Sequence, residues 1–249
     1  MRLRLKVAYH GGAFHGWQIQ RPGVRTVEGE LTKAVTQICG GEPQRLWGAS
    51  RTDAGVHALD QCAAFDYDGK HSASAFFNGL NHLTPDDLSV LSVDRVSDDF
   101  HPRYSARGKL YVFEIWTGAE THPLMVDRTM HVRRSLDVHA MAEAGKRLVG
   151  THDFTSFRGS GCSANTAVRT LWEVHTEQVD ERLIRIRVTG TAFLKYMVRN
   201  IVGTLIPIGL GQKDPAWMTT VLEARDRSAA GTKSEPQGLT LQRIFYPDW

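Results

Sequence analysis

Residues 48 to 58, Gly48-Ala49-Ser50-Arg51-Thr52-Asp53-Ala54-Gly55-Val56-His57-Ala58, are the stretch of the chain densest in chemically useful groups. Their mostly small side chains leave a ligand room to approach the backbone. Arg51 and Asp53 stand two apart, so on extended chain both point the same way, and an adjacent guanidinium keeps a carboxylate ionised. A positioned carboxylate can act as nucleophile, general base or electrostatic stabiliser. The same residues also suit a plain turn in which Asp53 hydrogen-bonds its own backbone. A third possibility gathers Asp53, Asp60 and Asp66 around a hard cation, but their spacing matches no calcium loop and the chain has no HExxH pattern.

Other segments carry weaker signals. Gly11-Gly12-Ala13-Phe14-His15-Gly16-Trp17-Gln18 mixes glycines with aromatics, which suits either stacking on unpaired bases or covering a core edge. Neither GxGxxG nor a P-loop pattern occurs there, so a nucleotide cofactor gains no support. Lys195 and Arg199 are four apart on a predicted helix, where like charges repel unless an anion lies across them. Arg158 suits a loop contact or an RNA contact equally. His10, His15 and His57 have no partner identifiable in sequence and are expected to pack or hydrogen-bond. Cys39, Cys62 and Cys162 are far apart, with no CxxC pair, which points away from a zinc site and toward a reducing compartment.

These groups need a scaffold, and the hydrophobic pattern supplies one twice over. In the first half, 3–9 alternates as a strand, Thr26 caps a helix with apolar positions Val27, Leu31, Ala34, Val35 and Ile38, strands follow at 45–49 and 61–67, a helix at 72–80, and a strand at 88–96. In the second half, a strand at 109–115 precedes a helix over 137–149, strands at 170–179 and 183–189, a helix striped by Phe193, Met197, Ile201, Leu205 and Ile208, and a strand at 239–246. Additional elements are expected at 129–133 and 215–224. Each half reads β-α-β-β-α-β, which predicts an α+β protein of two fused ferredoxin-like halves, 1–104 and 105–249. Their mainly antiparallel sheets would sit side by side and leave a cleft between the halves.

Composition bounds the function classes. The 249 residues include 30 Lys and Arg against 27 Asp and Glu, a net charge of +3, with 41% apolar residues, which excludes a disordered tail protein. Of the basic residues 22 are Arg, a weak sign of an anionic partner. Charges alternate with apolar residues at the N-terminus, and Lys195, Arg199, Asn200 and Pro207 interrupt the longest apolar region, so a cytoplasmic protein without a membrane partner is expected.

At Arg51-Thr52-Asp53-Ala54-Gly55-Val56-His57 the chain resembles the bacterial tRNA pseudouridine synthase A family. Phe14-His15-Gly16-Trp17-Gln18, Asp98-Asp99-Phe100-His101, Phe154-Thr155-Ser156-Phe157-Arg158 and Met197-Val198-Arg199-Asn200-Ile201-Val202-Gly203 extend the likeness over nearly the whole chain. The resemblance implies a cofactor-free, metal-free isomerase that converts uridines 38, 39 and 40 of the tRNA anticodon stem-loop to pseudouridine. It implies a homodimer with tRNA bound across both subunits, and a fold whose two halves build one extended sheet with helices on one side and a basic cleft on the other. By motif, Asp53 is the catalytic nucleophile, Arg51 its ion-pair partner, Tyr111 the tyrosine that contacts the target base, and Arg199 a residue lining the cleft. Two positions depart from the pattern: Phe113 stands where a second tyrosine is common, leaving stacking alone, and Lys195 replaces an expected His, Tyr or Asn. The competing classes are a non-catalytic RNA-binding protein of RNA-recognition-like fold, which lacks an RNP1 strand, and a metal-dependent nuclease using Asp53 and Asp60.

Overall fold

The computed structural model describes residues 1–41 and 44–247, which contain ten strands and five α-helices. Contacts divide the chain into two compact units, Met1–Arg107 together with the chain from Leu241 onward, and Gly108–Thr240. The final strand, assigned by sequence to 105–249, thus falls mostly with the first unit.

In the first unit, β1 (Arg2–Tyr9), α1 (Val27–Ile38), β2 (Trp47–Gly48), β3 (His57–Asp66), α2 (Ala73–Leu83) and β4 (Leu88–Val96) follow in order. β1 pairs antiparallel with both β3 and β4, β2 pairs with β3, and the strand from Leu239 to Phe245 lies beside β3. Leu3, Leu5 and Val7 point to one face and are fully buried, as the alternation requires. On that face Phe65 meets Phe76 of α2, edge to face at 5.2 Å between centroids. The opposite face is polar: Arg2 pairs with Asp66, Arg4 with Asp94 and Lys6 with Asp60. Thr26 caps α1 by accepting from Gly29 N, and Ser72 caps α2 through Ala75 N.

The second unit runs β5 (Gly108–Thr117), β6 (Met130–Val132), α3 (Val138–Lys146), β7 (Gly150–Asp153), β8 (Val168–Gln178), β9 (Leu183–Gly190), α4 (Met197–Gly209) and α5 (Trp217–Ala224), and the last strand, β10 (Leu239–Phe245), begins at its end. β5, β9, β8 and β7 are antiparallel neighbours, and β6 lies parallel to β5. Phe113, Ile115, Ile184, Ile186 and Val188 build the core with Ile201 and Leu205 of α4. A Cβ on Gly203 would fall 1.8 Å from Thr232 O, so only glycine lets α4 touch that loop.

Several elements differ from the sequence reading. β2 has two residues instead of five: only Trp47 and Gly48 pair with β3, and at Ser50 the backbone is met by the Gln61 amide. β3 starts at His57, four residues early, since a bulge between Val7 and Tyr9 carries the pairing on to Ala58 and masks the alternation. α3 stops at Lys146 and Arg147, Leu148 and Val149 continue in three-residue turns before β7, a strand the periodicity hid. α4 begins at Met197 rather than 193 because Tyr196 takes a left-handed conformation, φ 63°.

Thr26→Ala is expected to lower stability by about 1 kcal/mol and Leu31→Ala by about 2 to 5 kcal/mol, since one loses a cap and the other leaves a core cavity. Urea unfolding followed by circular dichroism measures both, and equal losses would contradict these assignments.

Candidate functional site

Asp53 sits in the connection from β2 to β3, half-buried between buried Thr52 and exposed Ala54. The loop closes on itself through its backbone: Val56 N donates to Asp53 O at 3.1 Å, with Gly55 at φ 79°, as a turn with a left-handed third residue demands. This main-chain bond and the left-handed residue explain the glycine at 55.

Side chains from two strands hold this loop. The Gln61 carboxamide, fully buried on β3, accepts from Ser50 N at 3.2 Å and donates to Ser50 O at 2.7 Å. Its nitrogen also reaches Tyr9 Oη at 3.4 Å, and that hydroxyl meets Thr52 Oγ1 at 2.7 Å. Buried polar groups must be satisfied, so this network admits few alternative loop positions. Behind it runs the 11–17 segment: Trp17 N donates to Thr52 O at 3.0 Å, and Gly55 N to Phe14 O at 3.2 Å. Gly16, at φ 94°, lies so close that a Cβ would be 2.8 Å from Thr52 O. Phe14 and Trp17 are each 2% exposed, so they cover the core edge and offer no face for stacking on bases. His57 accepts from Gly11 N through Nδ1 at 3.0 Å and packs on His10, a structural role.

The remaining acidic candidates are engaged elsewhere. Asp66 is bound by Arg2, and Asp60 meets Lys6 and the Ile244 amide. No group of three or more His, Cys, Asp or Glu poised to hold a metal occurs among the described residues. Arg51 is exposed, two residues before the half-buried Asp53.

The other sequence candidates lie in the second unit. Tyr111 on β5 is 7% exposed, its ring edge-on to Phe193 with 5.0 Å between centroids. Phe113 is fully buried in the core, so it offers no stacking face. Arg199, in the first turn of α4, is 7% exposed, and its Nε donates to Ser234 O at 2.9 Å. Lys195 precedes the helix, so the expected four-residue repulsion gives way to another arrangement: Lys195, Arg199 and Lys233 all lie around the Tyr196 ring. Arg158 donates to Cys162 O and Ala164 O, which makes it a loop staple. Sequence inspection missed Gln61, Tyr9, Tyr196 and Lys233; only Gln61 leaves a trace, as an amide at an inward position of an apolar strand.

A sequence model described as tRNA pseudouridine synthase matches residues 6–105 and 144–247. The chain is 40% identical over 245 residues to tRNA pseudouridine synthase A 2 of Bacillus cereus, covering 98% of both chains. It is also 40% identical to tRNA pseudouridine synthase A of Coxiella burnetii over 247 residues, 99% of this chain and 93% of that one. The chain belongs to the tRNA pseudouridine synthase family. Members of this family are isomerases, and the chain is one of them. A solved Cbf5-Nop10-Gar1 complex aligns at a TM-score of 0.38 with 12% identity, over 98% of this chain and 60% of that one, a likeness too loose to build on.

Two measurements check the site. Gln61→Leu removes both amide contacts to Ser50 and is expected to lower kcat at least about tenfold with a much smaller change in KM, because loosened positioning acts on the reaction step. A wild-type kcat would show that the clasp is idle. Alkylation of the native protein should label Cys162 well before Cys62. Burial pushes the Cys62 thiol up to about 12. At Cys162 burial opposes ionisation, but hydrogen bonds from the Lys195 and Ala164 backbones and from Arg158 outweigh it and lower the pKa. Peptide mass spectrometry reads the order, and faster labelling of Cys62 would contradict it.

Proposed function

We propose that this synthase isomerises uridines 38, 39 and 40 in the tRNA anticodon stem-loop, with Asp53 as nucleophile, acting in the cytoplasm as a homodimer. The observation that carries the reading is the position of Asp53, half-buried on a loop whose backbone is clamped on both sides. No helix among the described residues is long and apolar enough to cross a membrane.

The reaction breaks the N1–C1′ bond, turns the base, forms C5–C1′, and moves the C5 proton so that N1 ends protonated. Substrate and product are isomers, so the equation needs no water or redox equivalent. A carboxylate suits it because it can add to C1′ or C6 and leave again. Stem uridines must first leave the stack, at a cost of a few kcal/mol that protein contacts offset. Arg51, exposed beside Asp53, is suited to a backbone phosphate. Arg199 is proposed to line the substrate cleft. With its ring packed on Phe193, Tyr111 has more to offer through its hydroxyl, as acceptor of the C5 proton, than through a stacking face.

Tritium release from tRNA labelled at uridine C5 tests these roles. Asp53→Asn is expected to lose about 10³-fold or more in rate while still binding tRNA, since phosphate contacts dominate affinity. Tyr111→Phe is expected to lose about 10²-fold. Undiminished isomerisation by Asp53→Asn would overturn the catalytic assignment and favour an RNA-binding role for the loop.

A further inference from the structure

We propose that Tyr104 is a stacking platform for an unpaired base of the substrate tRNA, a proposal that rests on tRNA being the substrate. Its side chain is 77% exposed, although the His101 imidazole packs against the ring with 4.4 Å between centroids and 40° between planes. Its hydroxyl has no hydrogen-bond partner among the described residues. The ring is therefore supported from beneath and open above. Every base has a π-face that such a ring can accept, whatever the sequence around it. Aromatics at 14 and 17 suggested stacking from sequence, but Phe14 and Trp17 are buried, and the open ring is at 104.

The turn that carries the ring is fixed in advance. Ser105 N donates to His101 O at 2.9 Å and His101 N to Ser105 Oγ at 3.0 Å, which closes residues 101–105 on themselves. Arg2 Nη1 donates to Phe100 O at 2.7 Å, the Tyr246 hydroxyl to Pro102 O at 2.7 Å, and Arg107 N to Phe245 O at 2.8 Å. The first strand and the last thus anchor the segment from both sides. A platform ordered before binding loses little freedom when a base settles on it. The supporting ring is ordered too, since Arg103 N donates to His101 Nδ1 at 3.1 Å, which makes that nitrogen the unprotonated one. Burial, and then the charges of Arg2, Arg103 and Arg45, hold the His101 pKa below its ordinary value, so the imidazole stays neutral under the tyrosine. Arg2 is balanced by Asp66, with Asp98 and Asp99 nearby, whereas Arg45 and Arg103 are exposed and have no carboxylate partner among the described residues. An open aromatic face beside such guanidinium groups suits a strand with apolar bases and an anionic backbone.

The test is equilibrium binding of an unmodified tRNA transcript, and of a plain RNA duplex without unpaired bases, over a range of salt concentrations for wild type, Tyr104→Ala and Tyr104→Phe. Tyr104→Ala is expected to bind tRNA about tenfold more weakly with an unchanged salt slope, because stacking releases no counterions, and to bind the duplex as wild type does. Tyr104→Phe keeps the ring and is expected to keep the affinity. Wild-type affinity for tRNA in Tyr104→Ala would overturn the proposal. So would a Tyr104→Phe variant as weak as Tyr104→Ala, which assigns the effect to the hydroxyl, or an equal loss on the duplex, which assigns it to the RNA backbone. Melting temperatures establish that both variants are folded. A wild-type protein that fails to bind tRNA would sink the substrate and this site with it. No turnover is measured, so an active Asp53→Asn enzyme would overturn the catalytic assignment and leave the platform intact.

Discussion

The structure turns on an amide that imitates a strand. Gln61 on β3 gives Ser50 the donor and the acceptor that a neighbouring backbone would have supplied, and so ends the β2 pairing without leaving polar groups unmet. From that point the chain is free to leave the sheet, and it does so with Asp53 three residues further on. The Tyr9 and Thr52 hydroxyls then stop the loop from moving away. A loop on the surface would ordinarily be mobile; this one inherits the rigidity of the central strands it leans on.

The arginine-rich composition acquires a different sense once the side chains are placed. Arg2 and Arg4 bind aspartates across β1 and its neighbours, Arg25 binds Asp87, and Arg185 and Arg187 bind glutamates on strands of the second unit. Asp66 is held below the usual carboxylate range by the hydrogen bond from Arg2. Many arginines therefore keep polar sheet faces together, using planar two-pronged geometry on carboxylates rather than on nucleic acid. The groups around Tyr196 include both lysine and arginine, which the count of arginines had not suggested.

Much of this was legible in the chain. Strict alternation marked β1, and the cap residue Thr26 marked the start of α1 because a capping side chain must sit next to the N–H groups it satisfies. The small-residue loop around Asp53 announced itself by composition. The rest depended on contacts distant in sequence. A bulge at Val7 hid the start of β3, the left-handed Tyr196 reset the start of α4, and Phe14 and Trp17 looked equally suited to solvent or core until packing placed them inside. Gln61 and Ser50 stand eleven residues apart and their partnership has no periodic signature. Lys195 and Lys233 are farther apart still, and only the fold brings them to one ring.

The last strand carries a consequence for biosynthesis. Its residues from Leu241 onward belong to the first unit, beside β3, while the intervening stretch from Gly108 to Thr240 builds the second. A chain emerging from the ribosome has made everything up to Arg107 on the order of ten seconds before the strand that completes that unit exists. During that interval the β3 edge next to the Asp53 loop stands without its neighbour, with unpaired backbone groups of the kind that invite wrong partners. Asp60, whose carboxylate accepts from the Ile244 amide once β10 has arrived, places a charge on that edge of the kind that blunts wrong pairing.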